Sequence, residues 1–169
     1  ELVVPTLGNA LKVDMEQNHG VIIRANGTVA SFAPSSAYDA LEQTPIIFNY
    51  FVLDACAGSD FNLAVDGSQN ILYWGIPNFA LQNDYAEVPH AGGFVQVDAY
   101  GHVAAAVTEY GELVIWGDDS NGLVSAAPNA VSDAVSVALG DGFGVVLHEN
   151  GDITQWTTNA SMPAPPSGL

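Results

Sequence analysis

Two loops of this chain carry oxygen-rich side chains at a spacing that could hold a cation. One reads Asp-Asp-Ser-Asn-Gly from Asp118 to Gly122, and the other reads Asp-Gly-Ser-Gln-Asn from Asp66 to Asn70. Carboxylate and amide oxygens are the ligands that Ca²⁺ prefers in proteins. The sequence therefore suggests Ca²⁺ as a cofactor, with the candidate ligands Asp118, Asp119, Asn121, Asp66 and Asn70.

The same residues also fit a role without metal, because Asp, Asn and Gly are the residues that tight turns select. Neither loop completes a twelve-residue calcium loop, since no bidentate Glu falls at the last position. Ca²⁺ binding and plain turn formation both remain open on the sequence.

A second group of polar and aromatic residues recurs just before each of four apolar strands. The segments concerned are Asn18-His19, Ser59-Asp60-Phe61, Tyr100-Gly101-His102 and Asp141-Gly142-Phe143. If the chain repeats by rotation, equivalent loops gather on one face, and exposed aromatic residues supply much of the energy of protein interfaces. Phe61 and Phe143 are expected to pack between repeats instead. The residues predicted to bind a partner are Asp60, Tyr100, His102 and Asp141.

No catalytic constellation stands out in the sequence. It contains no Gly-x-Ser-x-Gly elbow, no phosphate-binding Gly loop with Lys and no His-Glu-x-x-His. The four histidines are far apart, and His148 is expected on the surface of a turn. Cys56 lies in an apolar run, which favours a buried, inert thiol over a nucleophile. We therefore predict that the chain is not an enzyme.

These loops belong to a pattern of four similar stretches that lie about forty residues apart in the sequence. Each reads as a β-hairpin, with an apolar run, a polar turn carrying Gly and an alternating strand that ends on an aromatic residue. The aromatic residues are 42, 42 and 40 residues apart, and this period is typical of repeated supersecondary units. They are Phe32, Trp74, Trp116 and Trp156, which close the hairpins near 12–33, 52–75, 95–117 and 134–157.

The third and fourth repeats show the pattern best. Val103 to Val107 is an apolar run, and the alternating strand ends on Trp116. The turn of the second repeat, Asp66 to Asn70, is expected to be two residues longer than the others. Pro-containing connectors separate the hairpins, and a short apolar stretch after each connector indicates one further strand. These stretches are Ile46 to Phe48, Phe94-Val95 and Val135 to Val137.

The last two repeats resemble the regulator-of-chromosome-condensation family. The residues concerned are Trp116-Gly117 with its polar Gly122-Leu123 loop, the Leu139-Gly140 element and Asn150-Gly151 before Trp156. Ala57-Gly58 and Trp74-Gly75 match the same elements in the second repeat. The short repeats are also similar to those of the type II β-lactamase-inhibitor proteins. The resemblance implies a β-propeller with blades around a central channel.

The predicted fold is therefore all-β: a β-propeller, or a partial propeller, of four repeats of about 40 residues. Residues 1–157 form the repeats, and residues 158–169 form a Pro-rich tail or linker. Three arrangements stay open, namely four-bladed closure, part of a larger ring in a longer chain, and a ring completed by another copy. The missing N-terminal Met and the linker-like tail favour a fragment of a longer chain.

Charge narrows the set of partners. The chain has 19 acidic residues against two basic ones, for a net charge of −17. Two basic residues cannot replace the counterions of a nucleic acid or an anionic membrane, and no apolar run is long enough for membrane insertion. The sequence therefore predicts an extracellular or virion-surface recognition module that binds a protein or glycan. A structural decoration or assembly module is the alternative, and an enzyme with carboxylate catalysis in the channel is a third reading.

Overall fold

The computed structural model describes residues 9–17, 19–33, 51–75, 88–89 and 92–158. Within these ranges every regular element is a strand, and the strands form four three-stranded antiparallel sheets, here called blades 1 to 4. The all-β, partial four-bladed propeller predicted from the repeat is confirmed. The strands are β1 (Ala10–Glu16), β2 (His19–Arg24), β3 (Val29–Phe32), β4 (Val52–Ala57), β5 (Phe61–Asp66), β6 (Ile71–Gly75), β7 (Phe94–Tyr100), β8 (Val103–Thr108), β9 (Leu113–Gly117), β10 (Ala134–Gly140), β11 (Phe143–His148) and β12 (Ile153–Thr157).

The second and third strands of each blade are the predicted hairpin, and the first strand pairs with the second. The further strands expected at Phe94-Val95 and at Val135 to Val137 are β7 and β10. The stretch Ile46 to Phe48 lies outside the described residues, and the first strand of blade 2 is β4. Each blade therefore consists of the predicted hairpin and one further strand that precedes it.

The turn between the second and third strands has the same length in every blade, so the longer turn expected in the second repeat is wrong. Val65 pairs with Ile71 just as Val107 pairs with Leu113, with five residues between them in both blades. The position with positive φ is Gly in three blades but Gln69 in blade 2, where φ is 64°. The glycine of this turn, Gly67, is its second residue and not its fourth, so it does not mark the position with positive φ.

The four aromatic residues occupy equivalent buried positions, as predicted. Each lies opposite a residue of the second strand of its own blade and is only 4–6% exposed. Gly144 faces Trp156, and a Cβ at Gly144 would lie 2.2 Å from the indole, so this pairing needs glycine. Burial of such large apolar side chains stabilises the blade interfaces.

The core is divided into three clusters, one between each pair of adjacent blades. In the cluster between blades 2 and 3, Leu63 and Val65 of β5 pack with Val97 of β7 and with Trp116. The clusters between blades 1 and 2 and between blades 3 and 4 repeat this arrangement. Phe61 is buried in the middle cluster and stacks on Tyr73, as expected from the sequence.

The first strands of adjacent blades contact one another and are joined by side-chain hydrogen bonds. Asp14 accepts from the Ala57 N–H at 2.8 Å, and Asp98, at the equivalent position, accepts from the Leu139 N–H at 2.6 Å. Asp54 accepts from the Val97 N–H at 3.0 Å and also pairs with Lys12. These carboxylates fix the register between the first strands of adjacent blades, which apolar contacts alone would not fix.

One sequence expectation outside the blades is not covered. The Pro-rich tail lies almost wholly outside the described residues, so the domain division at residue 157 stays a prediction. Among the residues that are described, no helix has the length and apolar character needed to cross a lipid bilayer.

Candidate recognition site

The loops between the first and second strands of the blades lie at one edge of the structure, here called the rim. Gln17 of blade 1 donates to the Ser59 hydroxyl at 3.0 Å, and the Ser59 N–H donates to the Gly101 carbonyl at 2.8 Å. His102 Nε2 lies 3.1 Å from a carboxylate oxygen of Asp60. Equivalent loops of successive blades are therefore adjacent, which is the placement that rotational repetition predicts.

A cleft of about 220 Å³ opens on the rim between blades 3 and 4. Its lining includes three of the predicted partner-binding residues, Tyr100, His102 and Asp141, together with Asp118 and Asn121. Two of the predicted metal ligands thus lie in the same cleft as three predicted partner-binding residues, which the sequence did not suggest. Asp60 lies beside the cleft through its hydrogen bond to His102.

Gly117 brings the loop after β9 to the cleft. The Asp118 N–H donates to the His102 carbonyl at 3.0 Å, directly after a glycine with φ of 113°. A Cβ at residue 117 would lie 2.2 Å from the same carbonyl, so the close approach requires glycine. The Trp-Gly pair of the repeat therefore has two roles: Trp116 fills the core, and Gly117 places Asp118 on the rim.

The cleft combines an aromatic ring with negative charge. The Tyr100 side chain is 36% exposed, and the nearby Asp141 carboxylate raises the pKa of its hydroxyl. The two basic side chains of the chain lie elsewhere, because Lys12 pairs with Asp54 and Arg24 hydrogen-bonds Thr28 in a hairpin turn. An aromatic face beside carboxylates favours a cationic group through cation–π and charge-assisted hydrogen bonds.

The loop from Asp118 to Gly122 is held by its own side chains. Asp118 accepts from the N–H and the hydroxyl of Ser120, and Asn121 accepts from the Leu123 N–H. Asp119 accepts from the Ser125 N–H at 2.9 Å, and this bond lowers the pKa of its carboxyl. These contacts are those of turn residues.

The second candidate metal loop lies away from the cleft, in the turn between β5 and β6. Asp66 is buried, and one of its oxygens accepts from the N–H groups of Ser68 and Asn70. Over the described part of the chain, no group of three or more His, Cys, Asp or Glu side chains is arranged to hold a metal ion. The turn role accounts for Asp66 and Asn70, and Ca²⁺ binding at either loop stays a prediction.

Two histidines differ in setting from the rim or surface positions that their sequence context suggested. His19 is fully buried and contacts the Phe61 carbonyl at 3.2 Å, and burial lowers the pKa of its imidazole. His148 is mostly buried between Asp133 and Thr154, at 2.7 Å from each, so the expected solvated turn histidine is wrong. Phe143, which was predicted to pack between repeats as Phe61 does, is only half-buried at the end of the array.

The sequence interpretation missed the carboxylates of the first strands. Asp14 and Asp98 are 84 residues apart, which is twice the repeat spacing, and this period was the available signal. Burial raises the pKa of the Asp98 carboxyl to about 6, although its bond to the Leu139 N–H opposes the shift. The thiol of Cys56 occupies the equivalent position in blade 2, is buried as predicted, and has a pKa raised by that burial.

No protein-family model matches this chain, and no curated protein matches it either. Solved structures do match, and they are β-propellers. The ectodomain of the Physcomitrella patens receptor kinase CR4 is 18% identical, with a TM-score of 0.70 over 91% of this chain and 42% of that one. Prp20p of Saccharomyces cerevisiae is 14% identical, with a TM-score of 0.67 over 88% of this chain and 44% of that one.

The C-terminal domain of gp131 from bacteriophage phiKZ is also similar, at 12% identity and a TM-score of 0.59 over 95% of this chain and 55% of that one. At these identities the likeness shows the fold alone. It supports the propeller of regulator-of-chromosome-condensation type that the repeats resemble. This chain spans about half the length of the structures that it matches.

Proposed function

We propose that this chain is a non-catalytic recognition module that binds a protein partner through the rim cleft, at an extracellular or virion surface. The observation that carries the proposal is the meeting of Tyr100, His102, Asp118 and Asp141 in one cleft. An exposed aromatic residue in a small depression is typical of the residues that dominate interface energy. A basic side chain of the partner is the group that fits it.

The solved neighbours support a binding role at the level of fold. Yeast RCC1 (Prp20) was solved bound to Kap60, and Prp20p is described by its binding properties to Gsp1p and histones. The neighbours also include a receptor-kinase ectodomain and a bacteriophage protein, which motivates the extracellular or virion setting. The finer resemblance to type II β-lactamase inhibitors stays a prediction within this proposal.

The net charge of −17 favours a basic partner over nucleic acid or a membrane surface. Complementary charge accelerates encounter, and salt screens this effect. We therefore expect association with a basic partner to slow markedly as salt is raised. Binding of a neutral glycan would not depend on salt in this way, so the salt dependence separates the two partner classes.

Selection from a displayed random-peptide library against the immobilised chain tests the proposal. We expect enriched peptides to contain Arg or Lys, and the Tyr100→Ala, His102→Ala double variant to lose at least about tenfold in affinity, since ~1.4 kcal/mol corresponds to tenfold. The melting temperature of the double variant should stay nearly unchanged. Tyr110→Ala is the matched control, because Tyr110 is exposed in the hairpin turn at the other end of β8.

Unaltered peptide binding by the double variant would move the site off the rim cleft. Salt-insensitive enrichment on a glycan array, with no basic peptide selected, would favour the glycan. Tight, salt-sensitive binding of DNA or RNA would overturn the electrostatic argument.

The structural alternative, a decoration or assembly module, is favoured by a different observation. Apolar side chains are exposed at both ends of the blade array, among them Val13 of blade 1 and Leu147 of blade 4. Such a module would use its ends for contact and its acidic surface for solubility. This role is compatible with recognition at the rim, because the two surfaces do not overlap.

A further inference from the structure

Each blade contains a β-bulge near the start of its first strand. At this point the pairing with the second strand shifts by one residue, so one residue of the first strand has no partner across the ladder. Such bulges re-aim the side chain of the extra residue. In all four blades the extra residue is apolar and exposed, namely Leu11 at 69%, Leu53 at 42%, Val95 at 37% and Val135 at 49%.

The residues on either side of the bulge have roles inside the protein. In blade 3, Phe94 before the bulge is buried in the core, and Gln96 after it hydrogen-bonds to the backbone of Val137 in blade 4. Val52 and Ala134, which precede the bulges of blades 2 and 4, are buried likewise. The bulged residue itself faces solvent, where a polar side chain would serve the fold equally well.

Their shared position places the four bulged residues side by side. The first strands of successive blades contact one another. Asp54, directly after Leu53, hydrogen-bonds to the backbone of β7, and Gln96, directly after Val95, hydrogen-bonds to that of β10. The four bulged residues therefore form one row across the first strands, here called the apolar row. A contiguous apolar patch edged by polar groups is typical of a protein interaction site, whereas single exposed apolar residues are ordinary.

The apolar row lies on the face of the propeller opposite the rim. The rim loops follow the first strands, whereas the bulges lie near their starts, beside the turns between the second and third strands. In blade 3, for example, Phe94 pairs with Thr108, where the turn begins. Phe51 adds an aromatic ring to this face, because it is 57% exposed and lies against Gly27 in the turn of blade 1.

Carboxylates flank the apolar row at blades 3 and 4. The N–H of the exposed Glu109 donates to the Gly93 carbonyl at 2.6 Å, two residues before the bulge of blade 3. The N–H of the exposed Glu149 donates in the same way to the Asp133 carbonyl at 2.9 Å, two residues before the bulge of blade 4. The Asp133 side chain is itself half-exposed. This end of the row is therefore acidic.

Blade 1 carries the opposite charge on the same face. Lys12 directly follows Leu11, and Arg24 lies where the turn of blade 1 begins. Both basic side chains already have partners, since Lys12 pairs with Asp54 and Arg24 hydrogen-bonds Thr28. The charge beside the row thus changes sign from blade 1 to blades 3 and 4.

We propose that the apolar row binds a segment of a partner protein in which aliphatic or aromatic side chains are followed by Lys or Arg. The apolar side chains lie over the row, and the basic ones lie over the carboxylates of blades 3 and 4. Burial of apolar surface supplies affinity, and the complementary charges fix the orientation of the segment. A second copy of this chain fits less well, because two chains of net charge −17 repel each other and their basic side chains are already paired.

The proposal goes beyond recognition at the rim and does not depend on it, because the two surfaces lie on opposite faces. Selection from a displayed random-peptide library against the Tyr100→Ala, His102→Ala double variant tests it without the rim cleft. We expect the enriched peptides to combine Leu, Ile, Val, Phe or Trp with Lys or Arg.

Two pairs of substitutions locate the binding surface. The Val95→Ser, Val135→Ser variant should bind the enriched peptides at least about tenfold more weakly, with a nearly unchanged melting temperature because both valines are exposed. Met15→Ser is the matched control, since Met15 is 54% exposed at the rim end of β1. Glu109→Gln, Glu149→Gln should weaken binding at low salt and have less effect at high salt. 

Failure to enrich any peptide would overturn the proposal, as would unchanged affinity in the Val95→Ser, Val135→Ser variant or enrichment of acidic peptides. Self-association of the wild-type chain that this variant abolishes, measured by light scattering, would assign the row to a second copy and overturn the proposal too. Peptides that bind the Tyr100→Ala, His102→Ala variant and the wild type equally well, but not the Val95→Ser, Val135→Ser variant, would support the apolar row whether or not the rim cleft binds a partner.

Discussion

Blades 3 and 4 carry the same repeat, but their equivalent residues have different surroundings. Val107 of blade 3 is fully buried, whereas Leu147 of blade 4 is 40% exposed. Gly111 in the turn of blade 3 touches the backbone of Asp133, whereas Gly151 in the turn of blade 4 has open space around it. A blade therefore does not bury its own apolar face, and its stability depends on the blade that follows.

The largest difference in stability that we expect between the two blades comes from placing a charge at the equivalent positions 107 and 147. Val107→Asp should destabilise the protein by several kcal/mol, because an unpaired carboxylate would be buried. Leu147→Asp should change the stability of the monomer by no more than about 0.5 kcal/mol, as for a surface site. Urea denaturation at low protein concentration measures both. Equal losses in the two variants would show that the end face is covered within one chain.

The contribution of Asp98 to stability at the interface between the two blades should depend on pH. Because the pKa of Asp98 is raised to about 6 in the folded protein, folding favours its protonated form. The stability gained from protonation is present below pH 4 and is lost as the pH rises through 6. At pH 7 we therefore expect Asp98→Asn to stabilise the protein by roughly 2–3 kcal/mol, since the amide oxygen can still accept from the Leu139 N–H.

The control for this prediction is the same variant at pH 4, where its melting temperature should approach that of the wild type. A variant that is less stable than the wild type at pH 7 would show that the ionised carboxylate is the stabilising form. Asp98 would then act as a charged link between blades 3 and 4.

Replacing the turn glycines Gly111 and Gly151 with Ala should cause losses of stability that differ by a smaller amount. Gly151→Ala meets no neighbour, so we expect it to lose only the roughly 1–2 kcal/mol of a left-handed alanine. Gly111→Ala should lose more, because its Cβ would lie 2.9 Å from backbone atoms of residues 132 and 133. Thermal denaturation of the two variants measures the difference. The same loss in both would mean that blade 4 does not pack on the turn of blade 3.

The smallest expected effect concerns Ca²⁺. If the loop carrying Asp118, Asp119 and Asn121 binds Ca²⁺, the ion should stabilise the protein by about 1.4 kcal/mol at ten times its Kd. Asp119→Asn should remove this increment, as monitored by the melting temperature. An equal effect of Mg²⁺ or of simple salt would instead indicate screening of the net charge.

Most of the fold was predictable because the residues that define it are local and periodic. The alternation ending at Trp116 and the apolar run of β8 specify two strands without reference to the rest of the chain. The strands β1 and β4 were harder to identify, because Lys12, Asp14 and Asp54 interrupt the apolar pattern. Those side chains bond to the next blade, and this reason is invisible in a local sequence.

The candidate site was predictable in its parts but not in its assembly. Repetition placed Tyr100, His102 and Asp141 on one rim, while Asp118 was assigned to a separate cation loop. The structure joins them because Gly117 lets the chain after β9 approach the His102 carbonyl. A contact between residues on different strands, made through a backbone carbonyl, leaves no side-chain signal at the sequence level.

The rim cleft between blades 3 and 4 is the site proposed to recognise a basic side chain. An NMR titration of the ¹⁵N-labelled chain with N-acetyl-arginine amide tests this most directly. We predict shifts confined to the amides around the cleft, including Gly101, Gly142 and Asp118, that weaken at high salt and disappear in the Tyr100→Ala, His102→Ala variant. Shifts spread over the acidic surface, or shifts that persist in the double variant, would contradict it.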